Sequence, residues 1–286
     1  MGVIKELTIC SKKLKKDVTY VLVASDFHIE LNYGIENLEV ISSSPEVDYG
    51  KLDYILMPGD IVNDVNQLED ERFKRYLQDT LYDFTKNKPT FVSLGNHDQM
   101  TKDENGKWKL GKKKLLIDTL EELPNFTLLK NNELPIEKDG FSFAAYSPRF
   151  NYYEGEKENK ELYRRKFYAN YQEFPEDTYN VFLTHEPQSI IKLSEESGRC
   201  IQENADLVVS GHMHNGLMPT SLHKYFKNYG LISPQMSPFP KYAQGEYMVG
   251  DTNFVINGPI NARVEMPIFN DWYGASASVI TLKKVR

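Results

Sequence analysis

Runs of consecutive apolar residues organise this chain more than alternating ones do. Five of them break off abruptly into polar residues: VLVASDFH, YILMPGD, FVSLGNHD, VFLTH and DLVVSGHMH. Apolar, β-branched runs of about four to eight residues read as strands buried on both faces. That reading puts strands at residues 18–25, 54–57, 90–94, 181–184 and 207–210. Between the second and third lies residues 67–86, where Leu68, Phe73, Leu77, Leu81 and Phe84 recur at helical spacing behind an acidic start. Further helices are predicted at 159–170 and around 188–196, and further strands at 126–129, 134–137, 141–146, 247–249, 253–256 and 278–282. A Lys-Asp-Gly turn over residues 138–140 joins two of these as a hairpin. Strand–helix alternation early and β-rich stretches later predict an α/β (α+β) fold, with sheets packed between helices. No internal repeat or low-complexity linker interrupts the chain, so one domain over residues 1–286 is expected.

The polar endings of the five runs carry the chemistry. They hold Asp26 and His28, Asp60, Asn96 with His97 and Asp98, His185, and His212 with His214. Five of the six histidines fall there, and only His223 lies elsewhere. Asp26 and His28 stand two apart at a strand end, so an extended backbone would point both side chains the same way, and the same holds for His212 and His214. Carboxylate and imidazole donors suit Mn, Fe or Zn, and the lack of cysteine donors argues against a structural zinc finger. Gly59 before Asp60 and Gly95 before Asn96 let the chain turn off the strand and bring backbone close to a ligand. Each piece alone is weak, since a D-x-H or a Gly-Asp is common, but the ordered set points to a two-metal hydrolytic site.

Charge and cysteine content narrow the partners. A formal charge of −7 argues against a general grip on nucleic acid. It leaves room for a small phosphorylated substrate, because bound cations reverse the local field. Cys10 and Cys200 are too few for a disulfide framework, so reduced thiols in the cytoplasm are expected. The start of the chain lacks a signal-like apolar run, and no stretch reaches the length of a membrane span.

In the order D-x-H, GD, GNHD, H, GHxH, the endings from Asp26 to His214 resemble the calcineurin-like metallophosphoesterase family. The resemblance implies a four-layer αββα sandwich of two mixed sheets flanked by helices, and hydrolysis of a phosphomonoester or phosphodiester. It implies one divalent metal on Asp26, His28, Asp60 and His214, and a second on Asp60, Asn96, His185 and His212, with Asp60 bridging. His97 would be the histidine beside the scissile phosphate that binds no metal. Two cations about 3.5–4 Å apart can clamp the attacking and leaving oxygens and make hydroxide available near neutral pH. A general acid such as His97 would protonate the leaving alkoxide. Asp98 could orient a neighbouring group or simply sit at a helix N-terminus.

The chain reads GDIVNDV where protein phosphatases of this superfamily continue GDxVDRG, with Asn63 or Asp64 near the missing Asp-Arg pair. A protein phosphatase is therefore not expected, and the partner of His97 stays open. GHMHNGLMP, GLISP, FPKYAQGEY and TNFVINGPI are most similar to the YkuE-like branch of bacterial phosphohydrolases. The rival readings are a cyclic-nucleotide phosphodiesterase of the same superfamily and a non-catalytic metal-binding scaffold. Residues 217–247, rich in Pro, Lys and aromatics, could rim the site or form an ordinary loop. Residues 149–171 read as a helix covering a sheet edge in preference to a lid, and the lysine runs at 12–16 and 112–114 as solvated faces.

Overall fold

The computed structural model describes residues 3–31, 33, 35–154, 160–234, 236–261 and 274–285. Within them, two six-stranded sheets stack face to face. The first runs β1 (Val3–Ser11), β14 (Ser276–Lys284), β2 (Val18–Val23), β3 (Tyr54–Pro58), β4 (Thr90–Ser93), β7 (Phe126–Leu128). The second runs β12 (Gly245–Val249), β13 (Thr252–Ile256), β11 (Leu207–Ser210), β10 (Tyr179–Leu183), β9 (Phe141–Ala145), β8 (Ile136–Lys138). A separate hairpin, β5 (Met100–Lys102) and β6 (Trp108–Leu110), follows β4.

Alternate side chains of these strands feed three separate apolar layers, which is why the runs carry no polar face. Val21, Val23, Leu56, Phe91, Val181 and Val209 fill the space between the sheets. Leu22, Ile55, Met57 and Val92 point the other way, onto Leu38 and Ile41 of α1 (Ile35–Ser42), onto α2 (Glu71–Thr85) and onto Leu116 and Leu120 of α3 (Lys114–Glu121). On the far side, Ala144, Phe182 and Val208 meet Tyr163 and Phe167 of α5 (Lys160–Tyr168) and Ile190 and Ile191 of α6 (Pro187–Ser197). The result is the αββα sandwich of two mixed sheets that the sequence implied.

Two local outcomes differ from expectation. The long helix starts at Glu71, where Asp70 caps it by accepting from the Arg72 amide, and the preceding Val65–Glu69 forms a separate 3-10 turn. The described parts of residues 149–171 cover the outer face of the second sheet and not its edge, because Tyr163 and Phe167 pack on Tyr146 and Phe182. They divide into α4 (Phe150–Glu154) and α5, and residues 155–159 between them lie outside the described residues. The Asp139–Gly140 turn forms as predicted, with φ of 53° and 87°, which suits a two-residue hairpin loop between β8 and β9.

Candidate metal centre

The carboxyl ends of β2, β3, β4, β10 and β11 converge at one rim of the sandwich, and their loops are laced together by backbone bonds. Phe27 and His28 donate N–H to the Asp60 carbonyl at 2.7 and 3.0 Å, and Asp26 donates to the Gly59 carbonyl at 3.1 Å. This lacing corrects the extended D-x-H expected from sequence. Asp26, His28, Asp60, His212 and His214 all have left-handed backbones, with φ of 55°, 42°, 56°, 68° and 47°. The side chains still converge, but through tight coils and not through strand alternation. A left-handed residue with a Cβ is strained, and such strain gathers at functional sites. At Gly95 the requirement is close approach: an added Cβ would lie 2.2 Å from Asp60 Oδ1 and 2.5 Å from Asp60 N.

All nine residues singled out at the strand ends come to this rim, and each is buried except His97, which is partly exposed. Three groups form in which ligand-type atoms lie within 4.8 Å of one another: Asp26, His28 and His214; His28, Asp60 and His97; and Asp60, His185 and His212. Asp60 Oδ2 lies 3.0 Å from His185 Nε2 and 3.7 Å from His28 Nε2. His214 Nε2 is 3.2 Å from Asp26 Oδ1 and 3.3 Å from His28 Nε2. His212 Nδ1 is 3.2 Å from His185 Nε2. His185 Nδ1 must donate to the Pro58 carbonyl, 2.7 Å away, so its Nε2 is the atom turned to the cluster. His223 stays apart, bonded through Nε2 to the Met218 carbonyl.

Asp98 does more than sit at a helix start. Its Oδ2 accepts the N–H groups of Asp60 and Gly95, both at 2.8 Å, and its Oδ1 those of Ile61 at 2.8 Å and Val62 at 3.2 Å. One carboxylate thereby clips the loop after β3 to the loop after β4. Burial, then repulsion from Asp60, push its pKa up to about 7, and the N–H bonds pull against them. The open partner of His97 is a backbone carbonyl: Nδ1 donates to Asn63 O at 2.8 Å, and the His97 N–H donates to Asp60 Oδ1 at 2.8 Å.

Two neighbours carried no signal in the sequence. Trp108, on the β5–β6 hairpin, sets its ring edge-on to His97 at 4.9 Å. Tyr153, on α4, lies 5.4 Å from the His212 ring.

The electrostatics call for positive charge. Burial opposes ionisation of Asp26, yet the His214 and His185 imidazoles outweigh it and hold the carboxyl at about 2. Burial also works against a charged His185, but Asp60 and then Asp26 raise it to about 10. His212 goes the other way, down to about 3, through burial and the neighbouring His185. The cluster thus keeps two buried carboxylates ionised and draws a proton onto His185 to balance them. A divalent cation would satisfy the same field. The donor set fits one: Asn96 Oδ1 is buried without a hydrogen-bond partner, as a ligand oxygen would be.

Buried carboxylate and imidazole donors at the carboxyl edges of two stacked sheets make a site suited to divalent metal ions. The chain belongs to the calcineurin-like phosphoesterase family, whose model matches residues 19–216. Among curated proteins none matches the chain. Among solved structures, the NAD nucleotidase NadN of Haemophilus influenzae aligns with a TM-score of 0.44 at 13% identity, over 85% of this chain and 45% of that one. The chain thus spans less than half the length of that protein. No described helix is long and apolar enough to cross a membrane.

Proposed function

We propose that the protein hydrolyses a small phosphomonoester or phosphodiester at a dinuclear metal centre. One metal would be held by Asp26, His28, Asp60 and His214, the other by Asp60, Asn96, His185 and His212. The observation that carries this reading is the position of Asp60 Oδ2, between His185 Nε2 at 3.0 Å and His28 Nε2 at 3.7 Å. A single carboxylate between two donor groups is what a bridging ligand requires. Mn, Fe or Zn would suit these oxygen and imidazole donors. When bound, the metals supply the positive charge that steadies the phosphoryl group and the water activation that makes hydrolysis possible at neutral pH.

The protein's own groups do the rest. Asp98 fixes the Asp60 and Gly95 amides, so the bridging carboxylate cannot drift. The His97 N–H holds the other oxygen of Asp60. With Nδ1 committed to the Asn63 carbonyl, His97 has only Nε2 left to give a proton to the leaving alkoxide. His97 also falls into one of the three donor groups, alongside His28 and Asp60. Its role as acid and not ligand is therefore open to direct test. His97→Ala is expected to abolish hydrolysis while leaving metal content, by elemental analysis, nearly unchanged. Loss of a metal equivalent in that variant would make His97 a ligand, and full activity would end the mechanism.

A panel of mono- and diester substrates, with metal added back, separates general phosphoesterase action from a cyclic-nucleotide preference. We further read residues 1–286 as one domain, since β14 near the end of the chain pairs with both β1 and β2 near its start. The segments after His214 favour the YkuE-like branch. A cytoplasmic setting accords with two free cysteines, Cys10 and Cys200.

A further inference from the structure

Among the described residues, the buried polar atoms near the cluster that have no hydrogen-bond partner include Asn96 Oδ1 and the Tyr153 hydroxyl. The first is accounted for by the proposed metal. The second is not. Tyr153 belongs to none of the strand-end motifs and reaches the site from α4, on the second sheet's side.

Its position is firmly set. The chain entering α4 is stitched to the Asn96–Asp98 loop by two bonds, Leu94 N–H to Ser147 Oγ at 2.9 Å and Gln99 Nε2 to the Pro148 carbonyl at 2.9 Å. Tyr152, next in sequence, is anchored to α6 through its hydroxyl, which donates to Glu186 Oε2 at 3.2 Å. Tyr153 packs edge-on against the Tyr152 ring at 5.2 Å and rests over His212 at 5.4 Å and His185 at 6.5 Å. Nothing in this arrangement needs a hydroxyl. A phenylalanine would make the same ring contacts and avoid burying an unpaired O–H, which is costly.

We propose that the Tyr153 hydroxyl donates a hydrogen bond to a phosphoryl oxygen of the substrate, on the Asn96, His185 and His212 side of the cluster. A neutral phenol suits that place. It adds a donor for an oxyanion without adding negative charge to a pocket already holding Asp26 and Asp60. In this role Tyr153 is a catalytic residue. The bond would strengthen as charge builds on the transferring group, so its effect should fall on kcat more than on KM. The assignment rests on the phosphoesterase reading of the site.

The test is Tyr153→Phe, which keeps the ring, compared with the natural protein in the presence of Mn²⁺. Three quantities are read: bound metal, calorimetric affinity for tungstate as a tetrahedral oxyanion, and steady-state hydrolysis of a model phosphate ester. The expected result is unchanged metal content, a loss of about tenfold in tungstate affinity, and a fall on the order of 100-fold in kcat with little change in KM. Unchanged tungstate affinity with unchanged kcat overturns the proposal, as does loss of metal, which would make the phenol part of the cation site. The two readings fail separately. If the natural protein hydrolyses no ester, the proposed function falls, yet a hydroxyl-dependent affinity for tungstate would still uphold Tyr153 as an oxyanion donor. If neither protein binds tungstate, the Tyr153 assignment falls with it.

Discussion

Removing the Asp98 carboxylate should cost far more than an ordinary carboxylate at a helix start. Four backbone N–H groups, from Asp60, Gly95, Ile61 and Val62, converge on its two oxygens at 2.8–3.2 Å in a fully buried setting. In Asp98→Ala each donor is left without its acceptor, at about 1 kcal/mol or more apiece. Water entering the vacated space would recover part of this, so the loss should be about 4 kcal/mol. Asp98→Asn keeps one oxygen but turns an NH₂ group toward two of the donors, for a loss of about 2–3 kcal/mol. A carboxylate acting only through the helix dipole would be worth about 0.3–1 kcal/mol, so the two accounts are separable. Urea unfolding of the metal-free protein, followed by circular dichroism, measures the difference. Asp103→Ala is the control, since Asp103 also accepts backbone N–H groups but belongs to an exposed turn. Because the clip sets the position of Asp60, metal affinity should fall about 10- to 100-fold in either Asp98 variant. If Asp98→Ala stays within about 1 kcal/mol of the natural protein and binds metal with the same affinity, the clip is not what holds these loops.

Other expectations follow from the same geometry. Gly95→Ala forces a Cβ to within 2.2 Å of Asp60 Oδ1, so it should displace the bridging carboxylate and sharply weaken metal binding; equilibrium dialysis giving normal occupancy would show that the loop can yield. Metal binding near pH 7.5 should release about one proton, because the cation-free site holds His185 protonated with its pKa raised to about 10. The sign is definite: protons compete with the metal, so apparent affinity rises with pH through this range. Calorimetry in two buffers of different ionisation enthalpy reads the number released, and zero would contradict the proposed charge balance. Trp108→Ala removes the ring that packs on His97 at 4.9 Å without touching a donor atom. It should therefore alter kcat or substrate preference while sparing metal content, and a drop in bound metal would mean the hairpin supports the cluster itself.

Where burial and chemistry coincide in a few consecutive residues, the sequence was transparent. VLVASDFH or DLVVSGHMH announces both a strand and the donors that end it, and all seven expected donors gather at one rim together with His97. Elements with mixed surfaces were opaque. β1 carries Lys5, Glu6 and Thr8 among its apolar residues and lies at a sheet edge, so no periodic signal survives. The short helices α1 and α3 bury only a few apolar side chains each, Leu38 and Ile41 in one, Leu116 and Leu120 in the other. The partner of His97 could not be read because a backbone carbonyl, that of Asn63, has no residue-type signature. Tyr153 was invisible for a different reason. Its place beside His212 depends on how the segment after β9 lies near the end of β11, and Phe150 and Tyr152 beside it give the same aromatic signal.

The five left-handed residues have a consequence for anyone trying to make this protein more robust. At His28, His212 and His214, glycine would relax the backbone, by about 1–2 kcal/mol at each site. At Asp26 and Asp60 the same relief is opposed, because those carboxylates accept the His212 and His97 N–H groups. Selection for heat resistance in the absence of metal would therefore drift toward those replacements, and every success would erase a donor. Sturdiness and chemistry are set against each other at those three histidines, so a screen for stability should be run with the metals present.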